Sequence, residues 1–384
     1  MNALRSGWVL LAALLMTGCS IFSQKDAERD PMELVEFDPS LQVQQLWSTS
    51  VGSGSGKSAP GFKPFYADGQ VWVADYKGRV QAVDSESGRI VVRFDTEFKL
   101  SSGPVVIDDR VLVGTLNGQL VVIDRDDGHV IWRAQLSSEI LASPIQRDGV
   151  IVVRCIDGRV FGLNAETGLR LWVYDRSVPL LTLRGNSDVA IRGGQIFIGH
   201  DDGTVTALNL ANGNLLWEQR VSVPEGRTQL DRLADIDGPM SIVGLDLYVV
   251  TRHGRMASLA LDSGRILWVK DLASHSGLSI SRTQLVASDS RDVVWMIDRR
   301  SGATGWSNEQ MLRRKLTRPV FHAGFVAVGD SLGYVHWLNP DTGEFVARER
   351  GSKDALTAPL VVGNMLYLLD TEGRLSAWRA GGAG

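Results

Sequence analysis

The sequence predicts an all-β protein, an eight-bladed β-propeller of four-stranded antiparallel blades, on three observations. A turn-and-strand unit recurs seven times, its period is about 40 residues, and the two chain ends carry complementary parts of one further unit. The clearest copy runs from Cys155 to Trp172: a tight turn at Asp157-Gly158, an alternating strand to Asn164, a second turn at Thr167-Gly168, and a strand bearing Trp172. An apolar, β-branched segment (Val150 to Val153) precedes it, and a small-residue-Pro start (Ser143-Pro144) precedes that. Four short strands separated by such turns make one propeller blade.

The turn glycines are Gly88, Gly128, Gly168, Gly213, Gly264, Gly302 and Gly343, at separations of 40, 40, 45, 51, 38 and 41 residues. Each is required because these turns place a residue at positive φ, where a Cβ is disfavoured. The Asp or Asn four residues before most of them is read as a turn-former that bonds its own backbone. Trp132, Trp172, Trp217, Trp268 and Trp306 stand four residues after their glycines, a fixed place that suits packing one blade against the next. The eighth blade is split. Pro359 to Trp378 supplies a first half without its Trp strand, and Gln45-Leu46-Trp47 supplies that strand. Pairing of the N- and C-terminal strands closes the ring and removes the edges through which open sheets aggregate. The propeller is therefore placed at residues 41–380, followed by a Gly-rich tail at 381–384.

The first residues read as targeting rather than fold. Arg5 gives a positive start, and Trp8 to Met16 form an apolar stretch too short to span a bilayer. The stretch closes on Leu15-Met16-Thr17-Gly18-Cys19, which is similar to a bacterial lipoprotein signal. That similarity implies cleavage after residue 18 and lipidation of Cys19, with Ser20 favouring the outer membrane. Residues 19–40 then read as a lipidated N-terminus and flexible tether. Multiple acyl chains, at about 0.8 kcal/mol per buried CH₂, make such an anchor effectively permanent.

Composition excludes several classes. Net charge is −4, and the basic runs Arg299-Arg300 and Arg313-Arg314-Lys315 are short, so no nucleic-acid partner is expected. With Cys19 committed to lipid, Cys155 has no disulfide partner and reads as a small buried hydrophobe. The segment Gly52-Ser-Gly-Ser-Gly56-Lys57-Ser58 lacks the first glycine of a phosphate loop, and Ala59-Pro60-Gly61 forbids the helix that should follow. None of the six histidines shows metal-ligand spacing; His200 and His253 precede tight turns and read as solvent-facing. No nucleophile elbow occurs. No enzyme activity, metal, cofactor or small-molecule substrate is expected.

In a repeat fold, information lies where the repeat breaks. The two long intervals place extra residues after Trp172 and after Trp217, in sequential connections on the face that carries the Asp-Gly turns. The first insertion contains Leu180-Leu181-Thr-Leu183-Arg184-Gly; the second contains Leu230-Asp231-Arg232-Leu233-Ala-Asp235-Ile236-Asp237. Apolar anchors beside charge are the composition of a protein-binding hot spot.

Lipobox, eight units and both insertions together make the chain resemble the BamB family, the lipoprotein propellers of the outer-membrane β-barrel assembly machinery. Leu181-Thr-Leu183-Arg184-Gly and Asp231-Arg232-Leu233-Ala-Asp235-Ile-Asp237 carry the resemblance most specifically. It implies a non-enzymatic scaffold without cofactor, held at the inner leaflet of the outer membrane and linked through the complex to other Bam lipoproteins. It also implies docking to a periplasmic POTRA domain of BamA, with Leu181, Leu183 and Arg184 in contact and Asp235 and Asp237 shaping or charging that surface. The rival reading is a periplasmic quinoprotein dehydrogenase dependent on pyrroloquinoline quinone (PQQ), which shares the repeat. That class would need a buried quinone on a Trp, a Ca²⁺ site and usually a vicinal Cys pair, which is absent.

Overall fold

The computed structural model describes residues 30–54, 61–176, 187–222, 235–236, 238–252 and 254–381. These residues form strands and turns and contain no helix. Seven blades follow in chain order, from Phe65–Asp95 (blade 1) through Leu100–Gln135, Ile145–Tyr174, Ala190–Arg220, Ser241–Asp271 and Leu278–Asn308 to Val320–Arg350 (blade 7). In each, four antiparallel strands follow in sequence order, inner strand first, and Gly61–Phe62 adds a short parallel strand to the inner edge of blade 2. In blade 8, Leu356–Val362, Met365–Asp370 and Arg374–Gly381 are completed by Gln42–Ser50, with Trp47 opposite Ala377. The ring thus closes by pairing the first strand of the chain with the last.

Burial explains the strand composition. Second and third strands, such as Val150–Arg154 and Val160–Asn164, are buried almost throughout and correspondingly β-branched. Fourth strands alternate, as in Ile266–Asp271, because one face meets the next blade and the other meets water. The inner strands of neighbouring blades approach one another around a central channel.

The seams are built from the Trp-glycine repeat. Trp47 of blade 8 covers Gly88 of blade 1, and Trp132, Trp172, Trp217, Trp268 and Trp306 cover Gly168, Gly213, Gly264, Gly302 and Gly343 of the following blades. A Cβ at Gly213, which sits at φ +71, would lie 2.7 Å from the Trp172 ring, so the residue is fixed by both backbone and neighbour. Five of the six indoles donate Nε1–H to the carbonyl just after the turn-former position, which is Ala260 in blade 5: Trp47 to Ser85, Trp172 to Leu210, Trp217 to Leu261, Trp268 to Arg299 and Trp306 to Pro340. Trp132 differs. Its register partner is Ala165, whose carbonyl accepts Arg110 Nη1 at 2.8 Å, and the buried Trp132 Nε1 has no partner among the described residues. Blade 1 has Val92 at the Trp position; Phe94, two residues on, fills the seam over Gly128 instead. Turn-formers cap their own loops, as Asn164 Oδ1 does for the amides of Glu166 and Thr167.

The described part of the expected tether does not hang free. Ser40 and Leu41 donate their amides to Val346 O, Phe37 stacks on Phe345 at 5.4 Å, and Arg348 lies over both rings. Arg348 Nη1 and Arg314 Nη1 donate to Val35 O and Met32 O, and Arg313 Nε donates to Asp30 O. Residues 30–41 are a strap on blade 7.

Candidate functional site

The connection out of blade 3 leaves through Asp175-Arg176 and re-enters at Ser187; the connection out of blade 4 leaves through Val221-Ser222 and re-enters at Asp235-Ile236. Both returning ends meet one turn of blade 4, Gly199–Gly203. Ile236 donates its amide to His200 O at 3.2 Å and packs against Gly199, where a Cβ would lie 2.4 Å from Ile236 Cγ2. Ser187 Oγ reaches Gly199 O at 3.4 Å, and Arg154 of blade 3 donates to Ser187 O and Oγ and pairs with Asp201 at 3.3 Å, all of it buried.

The outgoing ends converge as well. Arg176 donates to Asp202 Oδ2 at 2.7 Å and to Glu218, while Arg220 approaches the same Asp202 at 3.8 Å. Burial raises the Asp202 carboxyl, but the hydrogen bonds from Arg176 and Thr204 and the Arg176 charge together outweigh it and leave that group below the ordinary carboxylate range. Burial likewise opposes the Arg176 charge, and its two carboxylate partners more than restore it. Two insertions that are 45 residues apart in sequence are therefore rooted on a single ionic cluster. None of Arg154, Arg176, Asp201 or Asp202 was singled out by the sequence reading. Their only signal is that blade 4 carries two adjacent acids, Asp201-Asp202, at a turn where no other blade does.

The positions expected to make contact fall as follows. Leu181, Leu183, Arg184 and Asp237 lie outside the described residues, as do Cys19 and His253. Asp235 is described and its side chain is fully buried, with its carbonyl accepting the Arg252 amide at 2.8 Å. A carboxylate so enclosed shapes the end of its connection rather than charging the surface. His200 corrects an expectation: it is buried, not solvent-facing, with Nε2 2.8 Å from Thr206 Oγ1. It occupies the slot that Asp75, Asp289, Asp330 and Asp370 fill in other blades, where the side chain caps the following turn from below. Cys155 fills that slot in blade 3; burial pushes its thiol up to about 11, which leaves it an unreactive hydrophobe. Asp124, Asp127 and His129 lie together on a blade 2 turn, but their oxygens already hold that turn's amides and the His129 ring.

A family model described as "Outer membrane protein assembly factor BamB" matches residues 76–308. Proteins of that name from Alkalilimnicola ehrlichii and Xanthomonas campestris are 46% and 39% identical, over 96% and 98% of this chain and 95% and 97% of theirs. The chain belongs to the BamB family. The crystal structure of BamB from Moraxella catarrhalis superposes with a TM-score of 0.80 at 28% identity, over 88% of this chain and all of that one. A europium-containing methanol dehydrogenase superposes at 0.72, over 88% of this chain and 93% of that one, but with 12% identity that likeness is one of fold alone. Membership of BamB, a family of assembly factors, makes this chain a scaffold rather than an enzyme.

The buried histidines give the ring a pH dependence. Burial lowers His200, His322 and His336 below the ordinary value of 6.5. Hydrogen bonding agrees for two of them: His322 Nδ1 accepts from Trp337 Nε1, and His336 Nδ1 accepts from Arg348 Nε, so both rings are neutral. Below pH 6.5 the unfolded chain takes up protons that the folded ring refuses, so stability falls as pH falls. Each histidine contributes a slope of up to ~1.4 kcal/mol per pH unit. The exposed His129–Asp127 pair acts in the opposite sense, because His129 is raised by that hydrogen bond. Urea midpoints should be lower at pH 5 than at pH 7; an equal or higher midpoint at pH 5 contradicts neutral buried rings.

Proposed function

We propose that this chain is the propeller lipoprotein of an outer-membrane β-barrel assembly complex, a docking ring that helps barrel proteins fold and insert. Cys19 carries the lipid that holds it at the inner leaflet of the outer membrane, facing the periplasm among other Bam lipoproteins. The connections after Trp172 and Trp217 dock a POTRA domain of BamA, with Leu181, Leu183 and Arg184 in contact and Asp235 and Asp237 setting the shape of the second connection.

The observation that carries this reading is the convergence of both connections on the Gly199–Gly203 turn of blade 4. A rigid root shared by two adjacent insertions orders their apolar and charged residues before binding, which limits the entropy lost on docking. The test is a titration of the BamA POTRA domains into the soluble chain lacking its lipid. Leu183→Ala with Arg184→Ala should weaken binding by about 2–4 kcal/mol, about 30- to 1000-fold, with melting unchanged. Unchanged affinity would sink the assignment.

A further inference from the structure

One position of the repeat rings the mouth of the central channel. It lies two residues before the inner-strand residue that pairs with the third residue of the second strand, a register set by Phe65↔Trp72, Val105↔Leu112, Ile145↔Val152, Ala190↔Phe197, Ser241↔Tyr248, Ser279↔Val286, Val320↔Ala327 and Leu360↔Tyr367. Five of the eight residues there are small or proline: Gly103, Ser143, Pro239, Gly277 and Ala358. The other three are charged, Lys63 in blade 1, Asp188 in blade 4 and Arg318 in blade 7. They line one cavity of about 440 Å³ with Pro239, Leu316 and Leu356.

The three charges do not cancel. Lys63 Nζ and Asp188 Oδ2 meet across the channel at 2.5 Å, and Asp188 Oδ1 takes the Ser143 amide at 3.3 Å. Asp188 is thereby occupied on both oxygens. Arg318 is half-buried, and its guanidinium makes no hydrogen bond or ion pair with any described residue. Burial disfavours its charge, with only the field of Asp188 in support. Lys315, exposed on the same rim, adds a further positive charge and no acceptor. A planar cation with five donors, set in a mainly apolar cavity, matches a carboxylate bidentately.

We infer that the channel mouth is a binding site for a carboxylate attached to an apolar body, with Arg318 as its anchor and Pro239, Leu316 and Leu356 as its apolar wall. The carboxylate is either that of a free small acid or the C-terminus of a polypeptide; the cavity is of a size that takes such groups. Asp188 and Pro239 stand just past the returning ends of the connections after Trp172 and Trp217, but binding of a carboxylate at Arg318 does not depend on POTRA docking there.

N-acetyl-leucine and N-acetyl-leucinamide are titrated into the full chain by calorimetry. The acid should saturate the protein, and the amide should bind at least tenfold more weakly. Arg318→Gln should lose at least tenfold of the acid's affinity. A ten-residue peptide ending in a free Leu carboxylate identifies the source: tenfold tighter binding than the small acid assigns a polypeptide terminus, and equal binding assigns a free acid. Equal affinity for acid and amide, no saturation by either, or full affinity in Arg318→Gln overturns the inference and leaves a hydrated arginine only. Arg318→Met without ligand should melt at or above the parent temperature, because no partner is abandoned. A fall of more than a few degrees would assign Arg318 to the fold and overturn the site.

Discussion

Replacing Trp217 with Ala should destabilise the ring by about 3–5 kcal/mol. The indole is buried between blades 4 and 5, its face over Gly264 and its ring centroid 5.8 Å from that of Phe197. Ala leaves a cavity that neither neighbour can fill: Gly264 has no side chain, and Phe197 is itself fully buried in blade 4. The substitution also strands the Leu261 carbonyl, which receives Trp217 Nε1–H at 3.1 Å. Leu216 is the internal control. It is the bulged residue beside Trp217, 45% exposed on the outer face, and Leu216→Ala should stay within about 0.5 kcal/mol of the parent. Urea melts of the two variants decide the matter. A Trp217→Ala protein as stable as Leu216→Ala would refute the Trp-glycine seam.

Asp330→Ala should cost a comparable amount, about 3–5 kcal/mol, by a different route. Asp330 is fully buried in blade 7, and its Oδ2 receives Arg314 Nε at 2.7 Å and His336 Nε2 at 3.1 Å. Its Oδ1 holds the amides of Leu332 and Tyr334 at 2.9 Å each. Burial raises this carboxyl, but the His336 hydrogen bond, the Tyr334 amide and the Arg314 charge hold it below its ordinary value, so it is ionised at neutral pH. Ala leaves a buried guanidinium without its carboxylate and a turn without its cap. The loss should spread outward, because Arg314 and Arg348 also grip the strap at Met32 and Val35. Hydrogen exchange should show faster amides at Leu332 and Tyr334 and a loosened strap at Ser40 and Leu41. Asp330→Asn keeps the turn acceptor and should recover part of the loss. Native protection at all four amides in Asp330→Ala would contradict the network.

Much of the fold was legible because the repeat imposes one environment eight times. The glycines, the turn-forming Asp or Asn and the Trp each answer a local demand of backbone or seam, and local demands print directly into sequence. The split eighth blade followed from the same logic, since Trp47 lacked the rest of its blade and the strands around Trp378 lacked a Trp partner. What escaped were cases where one residue takes over another's task from a shifted place. Phe94 replaces a missing seam Trp two positions on, and His200 sits in a slot that holds Asp in four of the eight blades, so its chemistry suggested water while its register dictated burial. The strap on blade 7 was illegible for another reason. Its grip comes from Arg313, Arg314 and Arg348, 282 to 313 residues away, acting on backbone carbonyls that carry no side-chain signature. At the docking face the insertions announced themselves by length, but the ion pairs that root them join blades 3 and 4 and have no pattern along the chain.

The central claim is that a rigid ring presents two adjacent connections as its binding surface. The direct measurement is the affinity of the BamA POTRA domains for three proteins: the parent, Leu183→Ala with Arg184→Ala, and Leu216→Ala, which alters the outer face of the same blade. A loss of about 30- to 1000-fold confined to the first variant, with all three melting alike, is the predicted result. Equal affinity across the three, or an equal loss in Leu216→Ala, would contradict it.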